Sequence, residues 1–289
     1  MIRKLRKAQI QKIKYELSKL ITNDSFYDKL RYFLKFKRLP NLKNPQTFNE
    51  KIIYKKQNKS NYDLSNFTDK LSARKIVLKM DESILLPKIY DIVDEFRQID
   101  FINLPEKFII KTNHGSGWNL IVRDKSKSNY SLIEKICKIW LSMDYYYLGR
   151  EYAYKNIPPK LYVEELLLND KYKLPTDIKL FCFQGKVKLI QLDIDREYNH
   201  SRIMLDGNWN TIPVEYNYSS YGNHFSELMN RDMVIQIAEN LSSQFDFVRI
   251  DLYIFENKLY FGEFTFYPEC GLGKIKPLKF DLEWGKLIT

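Results

Sequence analysis

Asp251 and Glu263 are two acids that a single hairpin could bring face to face. Both lie in residues 248–268, VRIDLYIFENKLYFGEFTFYP. Val248, Ile250, Leu252 and Ile254 alternate with Arg249, Asp251 and Tyr253, the period of a half-buried strand. The return stretch, 259–266, is mostly aromatic and carries one acid, Glu263. A three-residue turn at Glu256-Asn257-Lys258 makes Asp251 face Glu263 and Arg249 face Thr265. A two- or four-residue loop would put the acids on opposite faces. Directly opposed carboxylates have Cβ atoms only ~4.5–5.5 Å apart and repel, so they call for a cation between them. One candidate is a divalent metal, because Mg²⁺ prefers one or two carboxylates completed by phosphate oxygens. The plainer readings are a surface hairpin whose acids point into water, or Arg249 simply paired with Glu263.

A second constellation lies earlier. Lys111 ends the strand-like run KFIIK and is followed by TNHGSG, residues 112–117, before strand character resumes at 120–122. Backbone N–H groups of such a loop can cradle phosphate, and Gly115 and Gly117 let the backbone come close. A hairpin lid fits this order better than a P-loop, which must open directly into a helix. Residues 161–168, LYVEELLL, put Glu164 and Glu165 in an apolar strand. His114 reads as incidental beside the loop. Cys137, Cys182 and Cys270 are odd in number and widely spaced, which argues against a disulfide scaffold or structural zinc. Cys270 reads as a packed residue rather than a nucleophile.

The elements that must position these groups follow from pattern. Residues 1–37 read as helical and basic, with seven Lys or Arg against Glu16 in the first 21. Such a helix can lie on anionic lipid, or pack on the body with its basic face in water. Thr47 and Glu50 form a capping box that opens a helix. A helix is predicted from about Asp69, a strand over 89–93 and a helix over 131–141. A hairpin follows, 178–183 and 187–194 around Gln184-Gly185. A loop then carries Arg202 and Trp209, and a helix is predicted over 225–245. Helices alternate with hairpins and no βαβ repeat occurs, so the fold class is α+β with antiparallel sheets.

Composition sets the bounds. The chain has 289 residues, enough for one large or two modest domains. Hydrophobic residues make up 44% and charged residues 29%, as in ordinary globular proteins. A net charge of +11 favours anionic partners. No stretch approaches the length of a transmembrane helix, and the N-terminus has no signal-peptide apolar region. A cytoplasmic location is expected, with membrane association on the cytoplasmic face as an option.

The ordered motifs TFNEKI, TDKLSAR, LPEKFIIKTNHGSG, YVEELL, DIKLFCFQGK, VRIDLY and YFGEFTFYPECG resemble the ATP-grasp superfamily of carboxylate–amine ligases. Within it the chain is most similar to the TupA-like branch associated with bacterial surface-polysaccharide biosynthesis. That resemblance implies an ATP-grasp fold in which two lobes with antiparallel sheets grip ATP. The expected division is an N-terminal helical segment (1–60), a central lobe with the glycine-rich loop (61–160) and a C-terminal lobe with the metal-binding hairpin (161–289). It also implies that Lys111 reaches the ATP phosphates while Gly115, Ser116 and Gly117 close over them, with Lys70 as a weaker phosphate ligand. Glu164, Glu165 and Leu166 match the strand that reads adenine, and Asp177 falls near the ribose. Lys179 and Arg196 would point at the phosphates, and Arg249 would meet the charge on the transferring group. Asp251 and Glu263 match the Mg²⁺ carboxylates. Many members place Asn two residues after the glutamate; here Thr265 stands there as a weak neutral ligand.

The implied reaction joins an amine or amino acid to an acidic sugar or glycan carboxylate, with ATP and Mg²⁺ and without nucleic acid. Two other classes compete. A sugar-nucleotide-dependent glycosyltransferase could use paired acids and a metal, and nucleotide choice would discriminate it. A nucleic-acid or membrane-binding module would explain the charge but not the facing acids.

Overall fold

The computed structural model describes residues 1–58, 63–169, 173–194, 200–218 and 230–288. Its helices are α1 (Ile2–Lys19), α2 (Asp24–Phe36), α3 (Phe48–Gln57), α4 (Ser65–Thr68), α5 (Lys70–Met80), α6 (Tyr130–Leu141), α7 (Tyr146–Gly149), α8 (Arg231–Ser242) and α9 (Leu278–Lys286). The strands are β1 (Ile89–Val93), β2 (Phe108–Thr112), β3 (Asn119–Val122), β4 (Leu161–Glu165), β5 (Asp177–Phe183) and β6 (Lys186–Ile194). They continue with β7 (Ser201–Asp206), β8 (Glu215–Tyr216), β9 (Phe247–Phe255), β10 (Lys258–Thr265) and β11 (Ile275–Lys276).

The chain forms two compact units. One comprises Met1–Tyr27, Asn61–Ser72 and Pro87–Leu166, and the other Asp28–Ser60, Ala73–Leu86 and Leu167–Thr289. This division is not contiguous, unlike the three consecutive segments read from sequence. The N-terminal helices are split between the units, and β4 belongs to the first rather than to a C-terminal lobe.

The first unit holds an antiparallel sheet in the order β1-β4-β2-β3. Its core gathers Phe108, Ile110, Leu120, Val122, Leu161 and Val163 against Ile133, Ile136, Cys137 and Trp140 of α6. These α6 positions recur at helical spacing, which is why that helix seats one apolar face on the sheet. Asn129 starts it by accepting the backbone N–H of Leu132 at 3.0 Å.

The second unit holds a five-stranded sheet in the order β10-β9-β5-β6-β7, every adjacent pair antiparallel. Ile178, Leu180, Ile190, Leu192, Ile250 and Leu252 are buried, and they alternate along their strands with the polar residues of the opposite face. The Thr47–Glu50 capping box forms as expected at the start of α3. The Glu50 carboxylate, although buried, is held below its usual range by the backbone N–H groups of Asn41, Thr47 and Gln46.

Three local expectations need correction. Arg202 lies in β7 rather than in a loop. The last long helix begins at Arg231 within the described residues and ends at Ser242; residues 225–229 of its predicted span fall outside them. The turn between β9 and β10 has two residues, not three. Glu256 and Asn257 have φ of 49° and 58°, and Phe255 pairs with Lys258. Positive φ at both central positions is the turn that matches strand twist.

Candidate active site

The two-residue turn should have put Asp251 and Glu263 on opposite faces, yet they are directly paired, as are Arg249 and Thr265. The register shifts between Phe261 and Glu263. Gly262 is therefore the extra residue of a β-bulge, and it restores the pairing that a longer turn would have given. A Cβ at Gly262 would lie 2.9 Å from the Asp251 carbonyl oxygen and 3.0 Å from the Tyr253 hydroxyl. Only glycine allows the strands to approach there without a shift.

β9 and β5 then bring the cations to the acids. Lys179 pairs across the strands with Asp251, and Asp177 with Tyr253. Arg249 forks onto Asp251, donating from Nε to Oδ1 at 2.7 Å and from Nη2 to Oδ2 at 2.8 Å. Its Nη2 also donates to the Thr265 hydroxyl at 3.2 Å. Lys179 Nζ donates to Oδ2 of Asp251 at 2.9 Å and to Oδ2 of Asp177 at 3.0 Å. The plain expectation that Arg249 pairs with Glu263 is thus replaced by a bidentate Arg249–Asp251 pair, with the Glu263 charge also felt by Arg249.

Asp251 is 2% exposed. Burial alone would raise its pKa, but Arg249 and Lys179 outweigh it and hold the carboxyl below the ordinary range. Lys179 is the reverse case: burial would lower its pKa, and Asp177 and Asp251 more than compensate, keeping it charged.

The network extends along β6 and β7 to residues that the sequence reading did not single out as functional. Asp193 faces Asp177 on one side and Arg202 on the other. Arg202 donates to both its oxygens at 2.7 and 3.1 Å, Gln191 Nε2 to Oδ2 at 2.8 Å, and His200 Nε2 lies 3.2 Å from Oδ1. Asp193 is buried, yet Arg202 and Lys179 depress its pKa strongly. The available signal was an acid and an amide two apart inside an apolar strand, which puts both on one face. Asp193-Ile194-Asp195 is also a D-x-D motif of the kind a glycosyltransferase could use. Asp193 lies within this network, and Asp195 lies outside the described residues.

The first unit carries the other group. Lys111 Nζ donates to Oε1 of Glu164 at 2.6 Å, and Glu164 is 3% exposed. The Glu164 side chain thus holds Lys111 instead of facing solvent. Lys70 opens α5 and donates from Nζ to the Gly115 carbonyl at 2.8 Å, so it anchors the glycine loop. Asn113 fixes the same loop, donating to Asp69 and to the Pro158 carbonyl at 3.0 Å each. Gly117 has φ of 70°, and a Cβ at Gly115 would lie 2.3 Å from the Trp118 ring. Both glycines are required by the loop itself. Ser116 is half-buried in it.

Glu165 pairs with the backbone of Lys88, donating its N–H at 2.8 Å and accepting at Oε2 at 3.1 Å. Leu166 follows β4 in irregular, half-buried chain. Arg196 lies outside the described residues.

The donors present fit Mg²⁺ in kind. Asp251 and Glu263 are hard oxygen donors, and Asp251 is held ionised. Among the described residues no group of three or more His, Cys, Asp or Glu could hold a metal ion. A metal on this hairpin would therefore need further oxygens from a ligand, as it does when phosphate completes its shell.

A family model described as TupA-like ATPgrasp matches residues 50–289. No curated protein matches the chain. Among solved structures, D-alanine–D-alanine ligase from Bacillus anthracis complexed with ATP is 16% identical, covering 77% of this chain and 66% of that one at a TM-score of 0.39. D-alanine–D-alanine ligase from Helicobacter pylori is 18% identical over 77% and 58%, at 0.40. ATP-grasp ligase PsnB with a minimal precursor, Mg and ADP is 9% identical over 76% and 58%, at 0.40. The chain thus spans 58–66% of the length of these structures.

Proposed function

Because the chain belongs to the TupA-like ATP-grasp family, whose model covers residues 50–289, we propose that it is an ATP-dependent carboxylate–amine ligase. A substrate carboxylate attacks the γ-phosphate of ATP, giving an acyl phosphate and ADP. An amine then attacks the acyl carbon and expels phosphate, and the amide forms. The observation that carries this reading is the charge-rich face on which buried Asp251 and Arg249 meet half-buried Glu263 and Lys179. Burying so many charges costs stability unless each is paired, and a fold with only structural needs gains little from it.

In this reading Asp251 and Glu263, with Thr265 as a weak neutral neighbour, hold Mg²⁺. The ion would neutralise charge on the phosphates. Arg249 and Lys179, both charged in the fold, stabilise the negative charge that builds on the transferring group. Arg196 would assist from the segment after β6. Lys111 and the Gly115–Ser116–Gly117 loop bind phosphate oxygens, while Glu164 and Lys70 position them. Glu165 and Leu166 contribute to adenine recognition, and Asp177 to the ribose. The carboxylate is assigned to a uronic-acid-type sugar or glycan and the amine to an amino acid or small amine, in capsular or cell-wall polysaccharide biosynthesis. The +11 charge and the 21 Tyr and 18 Phe suit an acidic sugar. A cytoplasmic site of action completes the reading.

Two variants test the assignment. Asp251→Asn keeps the shape and removes the charge, and turnover should fall by about a hundredfold or more. Glu263→Gln, at a half-buried position, should lower turnover and raise the Mg²⁺ needed for half-maximal rate. Near-wild-type rates in both, with folding confirmed by circular dichroism, would remove the hairpin from the chemistry. Nucleotide choice separates the ligase from sugar transfer: Mg-ATP should raise the unfolding temperature, and protection by a UDP-sugar alone would favour the transferase.

A further inference from the structure

Helix α1 is oriented against the usual rule for a surface helix. Ala8, Tyr15 and Ser18 are its buried residues. Ile10, Ile13, Leu17 and Leu20 are 53%, 60%, 59% and 78% exposed. Their spacing of three, four and three residues puts them on one outward stripe. Ile2, 64% exposed, continues the stripe just over two turns towards the N-terminus. A core-packing helix would have turned these side chains inward.

The inward face is held by other means. Lys4 Nζ donates to the Asn119 carbonyl at 2.6 Å, and Trp118 Nε1 donates to Gln11 at 3.3 Å. The edge of the Tyr15 ring meets Tyr147 at a centroid distance of 5.7 Å. The apolar stripe is therefore not an unsatisfied core face awaiting a small repacking. Exposed Arg3, Arg6, Lys7 and Lys14 accompany it, and Glu16 is the helix's only acid.

We propose that the outward face of α1 docks this protein on an anionic phospholipid bilayer. An outward apolar stripe with basic residues beside it is the chemistry of a helix lying in the interface plane. Its apolar residues enter the acyl boundary, and its Lys and Arg meet lipid phosphates. The helix could do no more than lie there, since no helix among the described residues is long and apolar enough to cross a membrane. Charge complementarity selects the occupant. A second copy of this chain would bring the same positive charge to the same face and be repelled. The inference does not depend on the ligase reading.

The test is cosedimentation of the full chain with vesicles of phosphatidylcholine alone and of phosphatidylcholine mixed with phosphatidylglycerol. Partitioning should be at least about tenfold stronger on the anionic vesicles and should weaken as salt rises. Ile13→Ser/Leu17→Ser removes apolar contact without changing charge, and Lys7→Glu/Lys14→Glu reverses charge without touching the stripe. Each should cut partitioning by about tenfold while circular dichroism and soluble nucleotide binding stay as in the wild type. Wild-type protein left in the supernatant with both vesicle types would overturn the proposal. So would partitioning of both variants at the wild-type level. A wild-type dimer that the Ser variant converts to monomer, with no vesicle capture, would instead assign the face to self-association and overturn it as well.

Discussion

At the scale of single residues, His114 carries the clearest pH signature. It is 1% exposed, with Nδ1 3.2 Å from the Asn113 side-chain oxygen and Nε2 3.2 Å from the Trp140 carbonyl. Burial pushes its pKa from 6.5 down to about 4. The unfolded chain takes up the proton near 6.5, whereas the folded chain resists it until about 4. The stability linked to neutral His114 is complete above the unfolded value and lost as pH falls through this window. At pH 5 the loss is about 2 kcal/mol. Urea unfolding at pH 7.5 and 5 should show this drop in the wild type and a smaller one in His114→Gln. Equal drops would mean that His114 does not titrate this way. The sequence read His114 as incidental beside the loop; the structure makes it a buried ring held by Asn113 and the Trp140 carbonyl. Burial also raises the Cys137 and Cys182 thiols to about 12, so neither is a ready nucleophile at neutral pH.

At the scale of the element, the β9–β10 hairpin depends on Gly262. Residue types and the two-residue period made the Asp251–Glu263 and Arg249–Thr265 pairs legible. The route to them was not, because a bulge inside an aromatic strand leaves no period of its own. The turn was misjudged for the same reason: Glu256-Asn257 contains no glycine, though Asn tolerates positive φ. Gly262→Ala should cost about 1–3 kcal/mol, since the new Cβ must push against the backbone of Asp251. It should also lower turnover by displacing the Asp251 carboxylate. Unchanged stability and rate would show that the register is held elsewhere. Asp193 and Arg202 escaped notice because their meeting depends on β6–β7 register, a long-range pairing that a lone hydrophilic pattern cannot set.

At the scale of the whole molecule, the α+β class and antiparallel sheets followed from the alternation of helices with hairpins. The division into units did not. The chain contributes three separate stretches to each unit, and composition does not change where it passes from one to the other. The candidate residues accordingly fall into two sets. Lys70, Lys111, Glu164 and the glycine loop lie in one unit, and Asp177, Lys179, Arg249, Asp251 and Glu263 in the other.

The central claim is that these sets serve ATP-driven amide formation. Its most direct measurement is ADP release by the full chain with Mg-ATP and a panel of uronic acids and amines, with the amide product counted beside it. ADP should rise only when a matching acid and amine are both present, with one amide formed per ADP. If no pair raises ADP above the rate with ATP alone, the ligase account is contradicted.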